Sequence, residues 1–197
     1  MITGAKGLSD RSTFAVQTNN SIESILRKAG VKAWLETCGP TSCENALRVL
    51  GVDVDKAWPG GWVAQFSDII TLFLNDPRNV AAEAAVRNID PNQYLDNEIP
   101  QFYPLAVKAV MGIDAVEYRD SVPWDAVVQE VSVGHAVMKC LVNPGHYLCF
   151  MGYDSDTSEL LYRDPWPERT GTDGFNLRMG RGEFDGNTKS FGIIFRD

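Results

Sequence analysis

The sequence predicts an α+β fold, with helices in the first part of the chain and an antiparallel sheet in the second. Three observations carry this expectation. Apolar residues recur at helical spacing in segments up to Met111. After Gly112 the period shortens, and apolar runs follow one another at hairpin distance. Short turn signals separate these runs, which suits antiparallel neighbours and leaves no room for the crossovers of a parallel sheet.

Residues 1–20 are polar and read as an N-terminal arm on the surface; residues 21–197 read as one domain. Ile22, Ile25, Leu26 and Ala29 mark a helix that stops at Gly30, and a connector with Trp34 and Leu35 follows. Pro40 suits the first turn of a second helix, where its missing N–H costs nothing. Cys43, Ala46, Leu47 and Leu50 form its apolar face, and Gly51 ends it. Residues 52–100 read as a helical insertion, a lid or a helical half-domain. It holds a helix over Trp62, Phe66, Ile69, Ile70 and Phe73, a break at Asp76-Pro77 and an Ala-rich helix over Val80 to Arg87. Tyr103 to Met111 is a helix ended by Gly112. Ala115 to Tyr118 is a short strand, and Ser121 is expected to cap a helix through Trp124, Val127, Val128 and Val131. Strands follow at His135 to Val142, His146 to Tyr153 and Glu159 to Arg163, split by Asn143-Pro144-Gly145 and by the turn from Asp154 to Ser158. Thr170 to Gly186 reads as a long Gly-containing loop, and Ser190 to Phe195 as the last strand.

With 197 residues, 44% of them hydrophobic and 22% charged, the chain can bury a substantial core. A net charge of −8 and the lack of a Lys/Arg cluster argue against nucleic acid and against anionic membranes as partners. No apolar run reaches membrane-span length, and the N-terminus lacks a signal-peptide core. The expected location is cytoplasmic, with release from the cell if the protein is of phage origin. No cofactor or metal is expected. The C-x4-C spacing of Cys38 and Cys43 is not a zinc pattern, His is scarce, and Asp154 and Asp156 read as a solvated turn and not a calcium loop. Cys43, Cys140 and Cys149 fall on apolar faces and read as buried, reduced thiols.

The chemistry concentrates elsewhere. Cys38 stands where a turn enters a helix, a place where the helix dipole and first-turn N–H groups favour a thiolate. His146 opens one apolar strand and Asp164 ends the next, so in an antiparallel pair these two ends lie side by side. A carboxylate there fixes the imidazole tautomer; the imidazole takes the thiol proton and later gives it to the leaving amine. His135 also opens a strand, but no carboxylate lies one hairpin beyond it, so it reads as structural. Trp166 is a candidate substrate-contacting wall of the cleft, and Trp58 and Trp62 read as packing residues.

The runs Cys38-Gly39-Pro40-Thr41-Ser42, Gly145-His146-Tyr147, Gly152-Tyr153-Asp154 and Asp164-Pro165 stand in the order and spacing of a known family. Over residues 30–51 and 103–166 the chain resembles the papain-like cysteine peptidases, in particular the group that processes bacteriocin leaders after a double glycine. The resemblance implies a papain-like fold, a helical half packed on an antiparallel β-sheet. It implies peptide-bond hydrolysis of a peptide or protein substrate by a Cys38-His146-Asp164 triad, through thiolate attack and an acyl-enzyme. One feature departs from the family: the Gln that helps bind the oxyanion has no match at Lys32, Ala33 or Trp34. Gln17, Asn19 and Asn20 lie further upstream and would need an unusual route. The competing readings are a hydrolase of peptidoglycan peptides, of bacterial or phage lysin type, a transglutaminase-type acyltransferase, and a non-catalytic peptide-binding module on the same fold.

Overall fold

The computed structural model describes residues 1–17, 37–57 and 100–197, with Ile70, Phe73, Asp76 and Arg78 between them. Strand β1 (Ile2–Gly4) comes first, then helix α1 (Cys38–Val49) and helix α2 (Tyr103–Met111). Strand β2 (Val116–Arg119), helix α3 (Trp124–Ser132), β3 (Ala136–Cys140), β4 (Tyr147–Asp154) and β5 (Glu159–Arg163) follow. The chain ends with a short helix α4 (Pro167–Thr170), β6 (Leu177–Gly180), α5 (Arg181–Asn187) and β7 (Gly192–Phe195). Among the described residues one sheet runs in the order β2-β7-β3-β4-β5-β6, and β1 joins it on β4. Every pairing is antiparallel. The expected α+β class is what this architecture is.

The central strands read as continuous apolar runs because both faces of the sheet are covered. Met138, Cys140, Tyr147, Cys149, Met151, Ile193 and Phe195 point to one side, where Cys43, Ala46 and Leu47 of α1 and Ala106 and Val107 of α2 cover them. The alternate residues Val137, Leu141, Leu148, Phe150, Leu160 and Ile194 meet Trp124, Val127 and Val131 of α3 and Phe184 of α5. Phe184 stands edge-on to both Trp124 and Phe150, the aromatic geometry that a ring quadrupole favours. This two-sided burial fixes β4, whose leading end carries His146.

Lys139, in the middle of β3, is buried. Its three N–H groups are shared among four backbone carbonyls, Val122 at 3.0 Å, Lys189 at 2.6 Å, Ser190 at 2.9 Å and Phe191 at 2.7 Å. Burial lowers its pKa to about 8, so the group is still charged at neutral pH. This cage ties the entry of β7 to the loop before α3. Lys139→Met keeps the apolar stem and removes the ammonium. Each buried acceptor left unmet costs about 1–3 kcal/mol, and relief of the ammonium's desolvation offsets part of the sum. A net loss of about 2–4 kcal/mol is expected, read as a lower urea midpoint at unchanged slope.

Three expectations are corrected. The segment read as a surface arm contributes β1, paired with the far end of β4, and buries Ala5, Leu8 and Ala15. Leu8 reaches over Gly152, and a Cβ there would stand 3.0 Å from its side chain, so the glycine admits the contact. Thr170 to Gly186 is not a loop but carries β6 and α5; β6 is held by its ladder with β5 and by the buried Met179. The cap of α3 is Pro123 and not Ser121, with no side-chain hydrogen bond. Ile70 and Phe73 are helical as expected. The rest of the helices expected at 62–74 and 80–87, the helix at 21–29, Lys32, Ala33, Trp34, Trp58, Trp62, Asn19 and Asn20 lie outside the described residues.

Candidate active site

His146 and Asp164 meet as the antiparallel register of β4 and β5 requires. Cys149 pairs with Arg163 across the ladder, so Asp164 continues the register opposite Leu148, and His146 is its diagonal neighbour on the same face. His146 Nε2 lies 2.6 Å from Asp164 Oδ1, and both side chains are buried. With Nε2–H donated to the carboxylate, a neutral imidazole keeps Nδ1 as its basic nitrogen.

Cys38 is the first residue of α1, and the N-cap Thr37 offers the helix end no side-chain cap. At this position the helix dipole acts on the Cys38 side chain. One turn on, Ser42 Oγ donates to the carbonyl of Tyr147 at 3.0 Å. Residues four apart share a helix face, so this bond sets the Cys38 face of α1 toward the start of β4, which His146 immediately precedes. Cys38 is partly exposed, whereas Cys43, Cys140 and Cys149 are buried. Burial pushes the Cys149 thiol up to about 12, although Arg163 pulls the other way. Such a thiol is inert at neutral pH.

Asp164 is held from every side. Oδ1 also accepts the Trp166 N–H at 2.8 Å, and Oδ2 accepts Arg169 Nε at 2.9 Å and Nη2 at 2.6 Å. Burial alone would raise its pKa. The hydrogen bond and charge of His146, the Trp166 N–H and the Arg169 guanidinium outweigh it, and the carboxyl sits below the ordinary range. The Asp164 N–H donates to the Gly174 carbonyl at 2.9 Å. Gly174 has φ +75°, and a Cβ there would collide with the Asp164 carbonyl. Trp166 stands edge-on to His146, ring centroids 6.0 Å apart, and is 39% exposed. It therefore sits at the boundary between the imidazole and solvent. His135 is placed elsewhere, with Nδ1 2.7 Å from Glu130 Oε2.

Residues 13–176 match a family described as the Peptidase_C39 like family. The chain belongs to that family. No curated protein matches it at a significant level. The Peptidase_C39-like family is a cysteine-peptidase-type family related to the double-glycine leader peptidases, with peptides or proteins as its substrate class. The match spans Cys38, His146 and Asp164 alike. Among the described residues no helix is long and apolar enough to cross a membrane.

In this Peptidase_C39-like chain the N-terminal segment packs against the end of β5 next to Asp164. Arg163, next to Asp164, is buried and points away from it. Its guanidinium donates to the carbonyls of Thr13 at 2.8 Å, Gly7 at 3.0 Å and Asp10 at 3.3 Å. Arg11 pairs with Asp173 at 2.8 Å, Phe14 packs on Phe175, and Asn45 of α1 makes both hydrogen bonds to the Ala15 backbone. The segment then reaches the site. Gln17 N–H donates to the Pro165 carbonyl at 2.8 Å, one residue beyond Asp164. Gln17 Oε1 is buried and has no hydrogen-bond partner among the described residues. Arg163 and Asn45 draw the segment in and so bring Gln17 next to the strand end at Asp164. Arg169 is the residue that sequence reasoning missed. It belongs to none of the quoted motifs, and only the turn-back of α4 places it on Asp164.

The remaining candidates resolve as local structure. The Asp154 carboxylate pairs with Arg178 at 3.0 Å and with the N-terminal amine at 3.5 Å, and Asp156 pairs with that amine at 2.6 Å. These carboxylates anchor β1 and β6 at the end of the sheet away from His146.

Proposed function

We propose that this protein is a cysteine peptidase that cleaves a peptide bond through Cys38, His146 and Asp164. The observation that carries the reading is the buried 2.6 Å hydrogen bond between His146 Nε2 and Asp164 Oδ1, at a strand end toward which α1 turns the Cys38 face. In the proposed cycle His146 Nδ1 takes the Cys38 proton and the thiolate sulfur attacks the substrate carbonyl carbon. The tetrahedral oxyanion forms; its collapse breaks the C–N bond as His146 protonates the departing amine. Water, deprotonated by His146, then attacks the thioester and frees the acid and the Cys38 thiol. Asp164 stays ionised throughout and holds the imidazole tautomer.

The oxyanion needs preorganised donors. The Cys38 backbone N–H at the head of α1 is one. We assign the second to the Gln17 amide, which takes the place of the Gln that the papain-like pattern puts closer to the Cys. Its support is the backbone tether to Pro165, which places Gln17 beside the residue that follows Asp164. Gln17→Ala is expected to lower kcat by about 10²–10³ at little cost in stability. Equal kcat in the two proteins would remove Gln17 from the site.

The reading is tested by incubating the protein with peptide libraries, including double-glycine leader peptides and peptidoglycan stem peptides, and quenching in acid. A substrate acyl group found as a thioester on Cys38 by mass spectrometry is the expected result. Cleavage with no such adduct, and cleavage that survives the loss of Cys38, would each contradict it.

A further inference from the structure

We propose that Arg169 is a positioning residue for the triad, a role that rests on the peptidase reading above. It touches neither the thiol nor the reacting carbonyl and acts through Asp164. The two oxygens of that carboxylate are divided between two tasks: Oδ1 faces His146 Nε2 and the Trp166 N–H, and Oδ2 takes the Nε and Nη2 hydrogens of Arg169. Two converging N–H groups on one oxygen fix the rotation of the carboxyl group about its bond to Cβ, so the other oxygen is aimed at the imidazole. A single ammonium would supply the charge without this directional hold.

An ion pair that merely staples a loop is the alternative, and the loop does not need it. Its base is closed by the Asp164 N–H to the Gly174 carbonyl, and its tip by Arg169 N–H to Trp166 O, Thr170 Oγ1 to Pro167 O and the Thr170–Thr172 hydroxyl pair. Beyond that closure the Arg169 side chain adds its two hydrogen bonds to Asp164 and a contact with Tyr162 of β5. The contact is also sheltered, since Asp164 is fully buried and only 23% of the Arg169 side chain is exposed. Around it stand His146 from the head of β4, Tyr162 from β5 and Glu183 from α5. Burial and the Asp164 and Glu183 carboxylates push the Tyr162 phenol up, against the charge and hydrogen bond of Arg169. Arg163 turns to the N-terminal segment instead. Arg169 is thus the guanidinium in direct contact with the buried Asp164 carboxylate.

The test uses the full chain and two readouts: the 13C titration of the Asp164 carboxyl, and the acid limb of the pH profile for Cys38 alkylation by iodoacetamide. In Arg169→Gln both are expected to move up by about 1–3 pH units, because the removed charge is opposite in sign and in contact. Arg169→Lys is expected to give a smaller rise in both. An Asp164 titration that moves while the Cys38 limb does not makes the contact structural and overturns the proposal. So does a Gln variant in which neither moves. Should Arg169→Gln fail to fold, Arg169→Lys carries the test, and profiles superimposable on wild type overturn it. A wild-type Cys38 no more reactive than an ordinary thiol refutes the peptidase reading and the proposal with it; a reactive Cys38 indifferent to Arg169 refutes the proposal alone.

Discussion

Cys38→Ala is expected to reduce peptide hydrolysis to the background rate, because no other thiol in the described structure is placed to replace it. Cys43, Cys140 and Cys149 are buried in the sheet-facing core, and the Cys149 thiol is held near pKa 12 by burial. The fold should survive. Cys38 is partly exposed at the first position of α1, and Ala is the better helix former. The stability change should stay within about 1 kcal/mol in urea unfolding, since little buried volume is removed. The check is turnover on any peptide the wild type cleaves, with the unfolding midpoint measured on the same sample. Activity that survives in Cys38→Ala assigns the nucleophile elsewhere.

Asp164→Asn is expected to lower kcat by about 10⁴, the order that loss of the tautomer-setting carboxylate brings to a catalytic triad. The surroundings of Asp164 give a specific reason. The two Arg169 N–H groups that converge on Oδ2 accept only an oxygen there. An amide that keeps its carbonyl on the two Arg169 N–H groups turns its NH2 to His146, at the cost of the Trp166 N–H, which loses its acceptor. Nε2 then has to accept, the ring proton moves to Nδ1, and the nitrogen facing the thiol can no longer take its proton. The shape is unchanged and the base is disabled. A two-dimensional 15N spectrum of the imidazole should show the proton shifted from Nε2 to Nδ1 in this variant. A rate within tenfold of wild type would mean that Asp164 only packs beside His146.

The fold was legible in sequence where periodicity runs long enough to register. Nine or more residues of α1 and α2 show an apolar face, and Gly112 ends α2 in the left-handed conformation that favours glycine. The two central strands were legible because both of their faces are buried. The short pieces were not. β1 and β6 hold three and four residues, too few to show an alternation, and ladder bonds to β4 and β5 decide their state. α5 carries one buried residue, Phe184, and glycines at two of its seven positions, so propensity argues against it and packing on Trp124 and Phe150 wins. The candidate site divides in the same way. Cys38, His146 and Asp164 each stand at an element boundary with local turn chemistry beside them, which a sequence displays. Gln17 and Arg169 are placed by contacts that no local pattern encodes. The first depends on Arg163 reaching back some 150 residues to the carbonyls of Thr13, Asp10 and Gly7. The second depends on a loop folding onto its own base.

Activation of Cys38 by His146 shows in the rate of iodoacetamide alkylation at each cysteine, resolved by mass spectrometry across pH, in wild type and in His146→Ala. Near pH 6 wild-type Cys38 is expected to react far faster than Cys43, Cys140 and Cys149. In His146→Ala its profile should move up toward the ordinary thiol pKa of about 8.5. A Cys38 that reacts with the same rate and pH dependence in both proteins would contradict that activation.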